Sequence, residues 1–181
     1  MRAGFATAVL AAASVVAQAH PHRYVDQQAL LYVGLETVDV TIRIVPSFVE
    51  GTAIFDRIDS DGNGLVSEDE AAAFGMEILS KTRLDIDGQS IPWSSVAANV
   101  PARHLIAAGS GMIEVELSAP SSLTGGENHV IDFQVAYDNL SHVWFLQPYY
   151  YEGLVEATSS RIVERTDDAH RIRIRFGSTV P

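Results

Sequence analysis

The chain has 181 residues, of which 47% are hydrophobic, and a net charge of −11 from 23 acidic and 12 basic side chains. We expect no nucleic-acid partner, because binding to phosphate backbones requires many cationic contacts that an acidic surface does not offer. The absence of cysteine excludes disulfide bonds, thiolate metal sites and thiol catalysis.

The first nineteen residues have the features of a secretory signal peptide. Arg2 supplies a positive start, residues 3–17 are mostly small and apolar, and Ala17 and Ala19 place small residues at the positions that a signal peptidase reads. This run is too short to span a bilayer, and no later segment has the required length and apolarity. We therefore expect cleavage after Ala19, a periplasmic or secreted location and a single β-rich domain over residues 20–181.

After this cleavage the mature chain would begin His20-Pro21-His22. Residues two apart in an extended segment lie on the same face, so both imidazoles and the free amine of His20 could bind one ion. Nitrogen ligands of this kind suit copper, zinc or nickel. The alternative is a pair of solvent-exposed histidines that bind no metal.

Two strands are predicted at the start of the domain, at residues 24–33 and 37–45. In the second strand, apolar residues from Val38 to Ile44 alternate with polar ones, the period of a half-buried strand. Pro46 ends this strand because proline has no backbone N–H to donate to a sheet.

A helical hairpin inserted at residues 47–81 is predicted next. Ser47 with Glu50, and Ser67 with Glu70, have the spacing of capping boxes that would begin its two helices. Each helix has an apolar stripe at helical spacing. The stripes are Gly51, Ile54, Phe55 and Ile58 in the first helix and Ala71, Phe74, Gly75 and Ile78 in the second, widened by Met76 and Leu79.

Residues 59–70, Asp-Ser-Asp-Gly-Asn-Gly-Leu-Val-Ser-Glu-Asp-Glu, join the two predicted helices. They fit the pattern D-x-D/N-x-D/N-G-x5-E at every diagnostic position. Calcium prefers about six to eight oxygen ligands, and Gly64 permits the positive φ angle that a tight loop around the ion requires. The predicted ligands are the side chains of Asp59, Asp61, Asn63 and Ser67, the backbone carbonyl of Leu65, and both carboxylate oxygens of Glu70.

Residues 50–79 therefore resemble a single hand of the EF-hand family. The resemblance implies one bound Ca²⁺, and it implies that Val66 lies where such loops usually pair through a short strand. The sequence contains no second loop of this pattern. The lone hand could form a homodimer or bind another protein, or it could pack on the β domain as a static clamp.

The remainder of the chain is predicted to form short strands. These lie at residues 83–91 (a hairpin turning at Asp87-Gly88), 112–117, 130–137, within 143–155, from 162 onward, and at 171–176. Many short strands at regular spacing predict a β-sandwich or a barrel-like antiparallel domain. The fold class is thus mainly β with an inserted EF-hand, or α+β overall.

No catalytic motif such as G-x-S-x-G, H-E-x-x-H or a phosphate-binding loop occurs, so we predict no enzyme. The leading hypothesis is an exported calcium-binding protein whose ion orders the helical hairpin against the β domain. One alternative is an adhesion or assembly protein that uses the aromatic residues within 144–151.

The other alternative is a periplasmic transition-metal binding or transport-accessory protein that uses His20 and His22 for copper, zinc or nickel. The His-Pro-His start, followed by a strand and a helical segment with an Asp-rich loop, resembles bacterial periplasmic proteins linked to metal-ion transport systems. Under this alternative, calcium in the loop at residues 59–70 would be only structural.

Overall fold

The described part of the chain forms two five-stranded sheets and four helices. The computed structural model describes residues 24–124, 128–141, 143–166 and 170–178. In chain order the elements are β1 (Asp26–Val33), β2 (Thr37–Val45), α1 (Gly51–Ile58), α2 (Glu68–Leu79), β3 (Thr82–Ile86), β4 (Gln89–Ser90), β5 (Ser95–Asn99), α3 (Arg103–Ala107), β6 (Ile113–Pro120), β7 (His129–Val135), β8 (Phe145–Tyr150), α4 (Glu152–Ala157), β9 (Thr158–Arg165) and β10 (Arg171–Ser178).

The strands divide between sheet A, in the order β5-β6-β2-β1-β8, and sheet B, in the order β4-β3-β7-β10-β9. All neighbours are antiparallel except β1 and β8, which are parallel. A tight turn would impose an antiparallel direction on β8. The chain instead reaches β8 from β7 of the other sheet, so no such turn constrains it. The predicted fold class, mainly β with helices, is confirmed.

Alternating apolar residues of both sheets form one continuous core. Val40 and Ile42 of β2 and Val115 of β6 are buried from sheet A, and Phe133 of β7 and Ile174 of β10 are buried from sheet B. Two separate sheets that share a core are a β-sandwich, the first of the two architectures that the strand pattern predicts.

The helical hairpin lies at one side of the sandwich, where α2 contacts both β5 of sheet A and β3 of sheet B. Gly75 allows the close approach to β5. A methyl group added there would lie 3.2 Å from Val96 Cγ2 and 3.3 Å from Ala98 Cβ. The second helix therefore covers the core between the two sheets.

Both apolar stripes predicted for the hairpin are confirmed, because all eight residues of the two stripes are buried. Leu79 also packs against the core. Met76 was expected to widen the second stripe, but it is 52% exposed. Its position one residue beyond Gly75 turns it away from β5 and toward solvent.

The first helix begins later than expected. Ser47 Oγ accepts a hydrogen bond from the Glu50 backbone N–H at 3.2 Å, but residues 47–50 form a turn, and α1 starts at Gly51 with no side-chain cap. The first predicted capping box is therefore wrong. The second is confirmed, since Ser67 and Glu70 cap each other reciprocally.

Three short elements were not predicted from the sequence. The range 143–155, predicted to contain one or two strands, contains one, β8, and the chain then continues as α4, a helix of only six residues that was not predicted. Neither β5 nor α3 was predicted, because their five residues each are too few to show a clear period. The predicted turn at Asp87-Gly88 is confirmed, with φ angles of 52° and 80°. Within the described ranges, no helix is long and apolar enough to cross a membrane.

Candidate metal site

The candidate site is the loop between α1 and α2. Asp59 caps the end of α1, where its backbone N–H donates to the Phe55 carbonyl at 2.9 Å, and it is only 3% exposed. At the other end, Ser67 is the N-cap of α2. The first predicted ligand is therefore anchored in the protein interior by the helix that precedes it.

The loop curls around the Asp59 carboxylate. Its Oδ1 accepts a hydrogen bond from the Asn63 N–H at 3.1 Å, and its Oδ2 accepts one from the Gly64 N–H at 2.8 Å. Gly62 and Gly64 have φ angles of 71° and 84°, values that residues with a Cβ seldom adopt. The positive φ predicted for Gly64 is confirmed, and Gly62 adds a second tight bend.

The next two predicted ligands bond to each other. Asp61 Oδ1 accepts from the Asn63 backbone N–H at 3.0 Å, and Asp61 Oδ2 accepts from Asn63 Nδ2 at 2.8 Å. Asn63 Oδ1 in turn accepts from the Leu65 N–H at 2.8 Å. The Leu65 side chain is 72% exposed, which suits a residue predicted to contribute only its backbone carbonyl.

Glu70 links the beginning of the loop to its end. Its Oε1 accepts from the Ser60 N–H at 2.7 Å, from Ser60 Oγ at 2.9 Å and from the Asp61 N–H at 3.2 Å. Its Oε2 accepts from the N–H and Oγ of Ser67, both at 2.9 Å. This one carboxylate thus closes the loop into a ring.

Asp59, Asp61 and Glu70 each place a carboxylate oxygen within 4.8 Å of the others. Calcium–oxygen bonds measure about 2.3–2.6 Å, so two ligands of one ion lie no more than about 5.2 Å apart. One ion could therefore contact all three carboxylates. The other predicted ligands, Asn63, Leu65 and Ser67, lie on the same loop and hydrogen-bond to its members.

Glu70 is ready to bind a cation without losing a proton. The Ser67 backbone N–H and the hydroxyls of Ser60 and Ser67 stabilise its ionised form and lower its pKa from 4.5 to about 2. Since carboxylates cluster here and the predicted donors are all oxygens, the site suits a hard divalent cation rather than a soft transition metal.

Acid should lower the stability of the ion-free protein because it protonates Glu70. Its pKa is lower in the folded chain than the ordinary value of 4.5, so its ionised form stabilises the fold above that pH, and this contribution is lost as the pH falls from 4.5 toward about 2. We expect the melting temperature of Glu70→Gln to fall less than that of the parent across this window. Exposed Asp69 provides the control: Asp69→Asn should follow the parent, and identical curves for the parent and Glu70→Gln would contradict the prediction.

Val66 packs against the core of its own chain. It lines a cleft of about 350 Å³ together with Ala71 of α2 and with Val96 and Ala98 of β5. In the EF-hand family, which this loop resembles, the residue at this position usually pairs with a second loop. Here the apolar side chain packs against the core of its own chain, which favours the clamp over the homodimer among the alternatives left open by the sequence.

An ion pair between Arg57 of α1 and Glu77 of α2 joins the two helices. Asn139, which follows β7, also donates to Glu77 Oε1 at 2.8 Å. Sequence reasoning missed these three residues and Ser60. Ser60 occupies a variable position of the loop pattern, and the contacts of the other three depend on tertiary packing, so no local signal could have identified them.

Two further predictions lie outside the described residues. These are the signal peptide at residues 1–19 and the second metal site at His20 and His22. The copper, zinc or nickel hypothesis and the location of the protein therefore stay predictions.

Comparison with known proteins does not assign this chain to a family. No protein-family model matches the chain, and no curated protein is significantly similar to it. The functional argument therefore rests on the loop and on the helices that hold it.

Proposed function

We propose that this chain is an exported calcium-binding protein with a single EF-hand, in which the ion orders the helical hairpin against the β domain. The observation that carries the proposal is the group of Asp59, Asp61 and Glu70 oxygens within 4.8 Å of one another. This group lies at the junction of two helices, the second of which contacts both sheets.

The ligand set supports calcium over magnesium. Magnesium demands near-octahedral geometry at about 2.0–2.1 Å and retains several waters, whereas calcium accepts six to eight oxygens in a flexible shell. Three carboxylates, an amide oxygen, a backbone carbonyl and a hydroxyl would supply such a shell, with Glu70 contributing both oxygens. Glycines at 62 and 64 let the loop adjust its curvature around the larger ion.

The position of the loop supports a structural role for the ion. Asp59 belongs to the end of α1 and Glu70 to the first turn of α2, so an ion bound by both would fix the angle between the helices. Because α2 packs on β5 and Val66 packs against the core, fixing that angle would also fix the hairpin on the sandwich.

Calcium should therefore raise the melting temperature. A ligand at a hundred times its dissociation constant stabilises the folded state by about 2.7 kcal/mol. For a chain of this size we expect a rise of roughly 5–10 °C. The measurement is thermal unfolding of chelator-treated protein with increasing CaCl₂ up to about 10 mM, a range that covers weak extracellular sites.

MgCl₂ at the same ionic strength is the control for this measurement, and it should give a much smaller rise. Equal shifts with the two salts would indicate either screening of the acidic surface or a site without preference for calcium, and would contradict the proposal of a calcium site. An unchanged melting temperature throughout the calcium series would refute the ordering role.

A further inference from the structure

A single row of side chains crosses the outer face of sheet A from one edge to the other. The register places Tyr149 of β8 beside Tyr32 of β1, Tyr32 beside Asp39 of β2, Asp39 beside Ser118 of β6, and Ser118 beside Ser95 of β5. With neighbouring strands about 4.8 Å apart, this row is roughly 19 Å long. It runs from an aromatic end to a polar, acidic end.

The aromatic end is held in place before any partner binds. The rings of Tyr32 and Tyr149 stack with centroids 5.0 Å apart, and Tyr151 lies 6.4 Å from Tyr32. The Tyr151 hydroxyl donates to Asp39 Oδ2 at 3.0 Å, and its ring covers Gly34, where an added Cβ would lie 2.8 Å from the ring. Tyr149 and Tyr151 nevertheless stay 44% and 45% exposed.

The acidic end lines a groove of about 450 Å³ between Tyr32 and β5. Asp39 and Glu116 supply its carboxylates, and none of the described residues that line it is Lys, Arg or His. Glu116 is exposed and makes no hydrogen bond or ion pair with the described residues. Arg43, one row further along the same face, is already paired with Glu114 at 3.0 Å.

We propose that this face binds an extended, positively charged segment of a partner protein, with one Arg or Lys side chain against the tyrosines and a second one opposite Glu116 and Asp39. Cations are attracted to aromatic faces, and the Glu116 carboxylate, which pairs with none of the described residues, complements them. A span of roughly 19 Å accommodates about six extended residues. The proposal does not depend on calcium binding.

Neutral sugars also stack on tyrosine, but the groove fits them less well. Sugar hydroxyls need both donors and acceptors, and Asp39 already accepts from Thr37 Oγ1, Ser118 Oγ and the Tyr151 hydroxyl. What Asp39 still offers a ligand is mainly its negative charge, which favours a cationic partner.

The test is titration of the full chain with hexa-arginine, with hexaglutamate and cellohexaose as comparison ligands. We expect hexa-arginine to bind one-to-one, with the same affinity whether calcium is present or chelated. We expect neither hexaglutamate nor cellohexaose to bind. Tyr149→Ala and Glu116→Gln should each weaken this binding roughly two- to fivefold. Two matched controls should not weaken it: Tyr24→Ala, two residues before β1 begins and 79% exposed, and Glu50→Gln, which is exposed and directly precedes α1. Unchanged melting temperatures would establish that the variants are folded.

Two results would overturn the proposal. If Glu50→Gln weakens binding as much as Glu116→Gln while Tyr149→Ala has no effect, the peptide responds only to the net charge. If cellohexaose binds in a Tyr149-dependent manner and hexa-arginine does not, the face is a sugar site. Loss of calcium binding would change neither result, so the two proposals fail separately.

Discussion

Replacing Glu70 with glutamine should weaken calcium binding by at least about a hundredfold, or about 2.8 kcal/mol. The substitution removes one negative charge and one of the two oxygens that the loop pattern assigns to this side chain. Loss of a partner that only supports a metal ligand costs about 10–100-fold, so loss of the bidentate ligand itself should cost at least the upper value. Calorimetric titration of parent and variant with CaCl₂ measures the ratio.

Asp69 offers a matched control for this prediction. It is the residue before Glu70, it is exposed, and Asp69→Asn removes the same charge without removing a predicted ligand. We expect this variant to bind calcium within about threefold of the parent, because an exposed charge nearby contributes little. An equal loss in both variants would show that general acidity, and not coordination by Glu70, governs the affinity.

Substituting Gly51 with alanine should destabilise the fold by about 1–3 kcal/mol, the usual effect of overpacking. Helix propensity alone predicts the opposite sign, since alanine is better than glycine in a helix by roughly 1 kcal/mol. Packing prevails because a Cβ at Gly51 would lie 2.0 Å from the Ile106 carbonyl oxygen and 2.8 Å from its carbon. Both atoms belong to the backbone of α3, so relief requires α1 and α3 to separate.

The comparison for Gly51 is Gly153, which also lies in a helix, α4. A Cβ there meets only Leu35 Cδ1, at an ordinary 3.7 Å, so Gly153→Ala should be neutral or stabilising by up to about 1 kcal/mol. Urea denaturation of both variants measures the free energies of unfolding. A stabilising Gly51→Ala would show that α1 and α3 are not in close contact.

Much of the fold could be predicted from residues whose local pattern and tertiary role agree. The strict alternation of β2 from Val38 to Ile44, and of β10 from Ile172 to Phe176, reports directly which face is buried. The Asp87-Gly88 turn could be predicted because Asp-Gly is a preferred dipeptide for tight hairpin turns, and both residues have the positive φ angles that such a turn requires. The missed β5 pairs with β6 and supports α2, so its existence depends on neighbours distant in sequence.

In the candidate site, the loop itself could be predicted from the sequence, but its contacts with the rest of the protein could not. The spacing from Asp59 to Glu70 identifies the loop because calcium coordination constrains each position. The packing of Val66 against the core, and the hydrogen bond from Asn139 to Glu77, depend on how the hairpin meets the sandwich. The row of side chains that begins at Tyr149 and Tyr32 on sheet A could not be predicted from the sequence either, since it depends on the parallel register between β1 and β8.

Calorimetric titration of the chelator-treated full chain with CaCl₂ tests the central claim most directly. The account predicts one ion per chain, with a dissociation constant between about 10⁻⁷ and 10⁻³ M, the range of sensor and extracellular EF-hands. No binding heat across that range, together with an unchanged melting temperature, would contradict it.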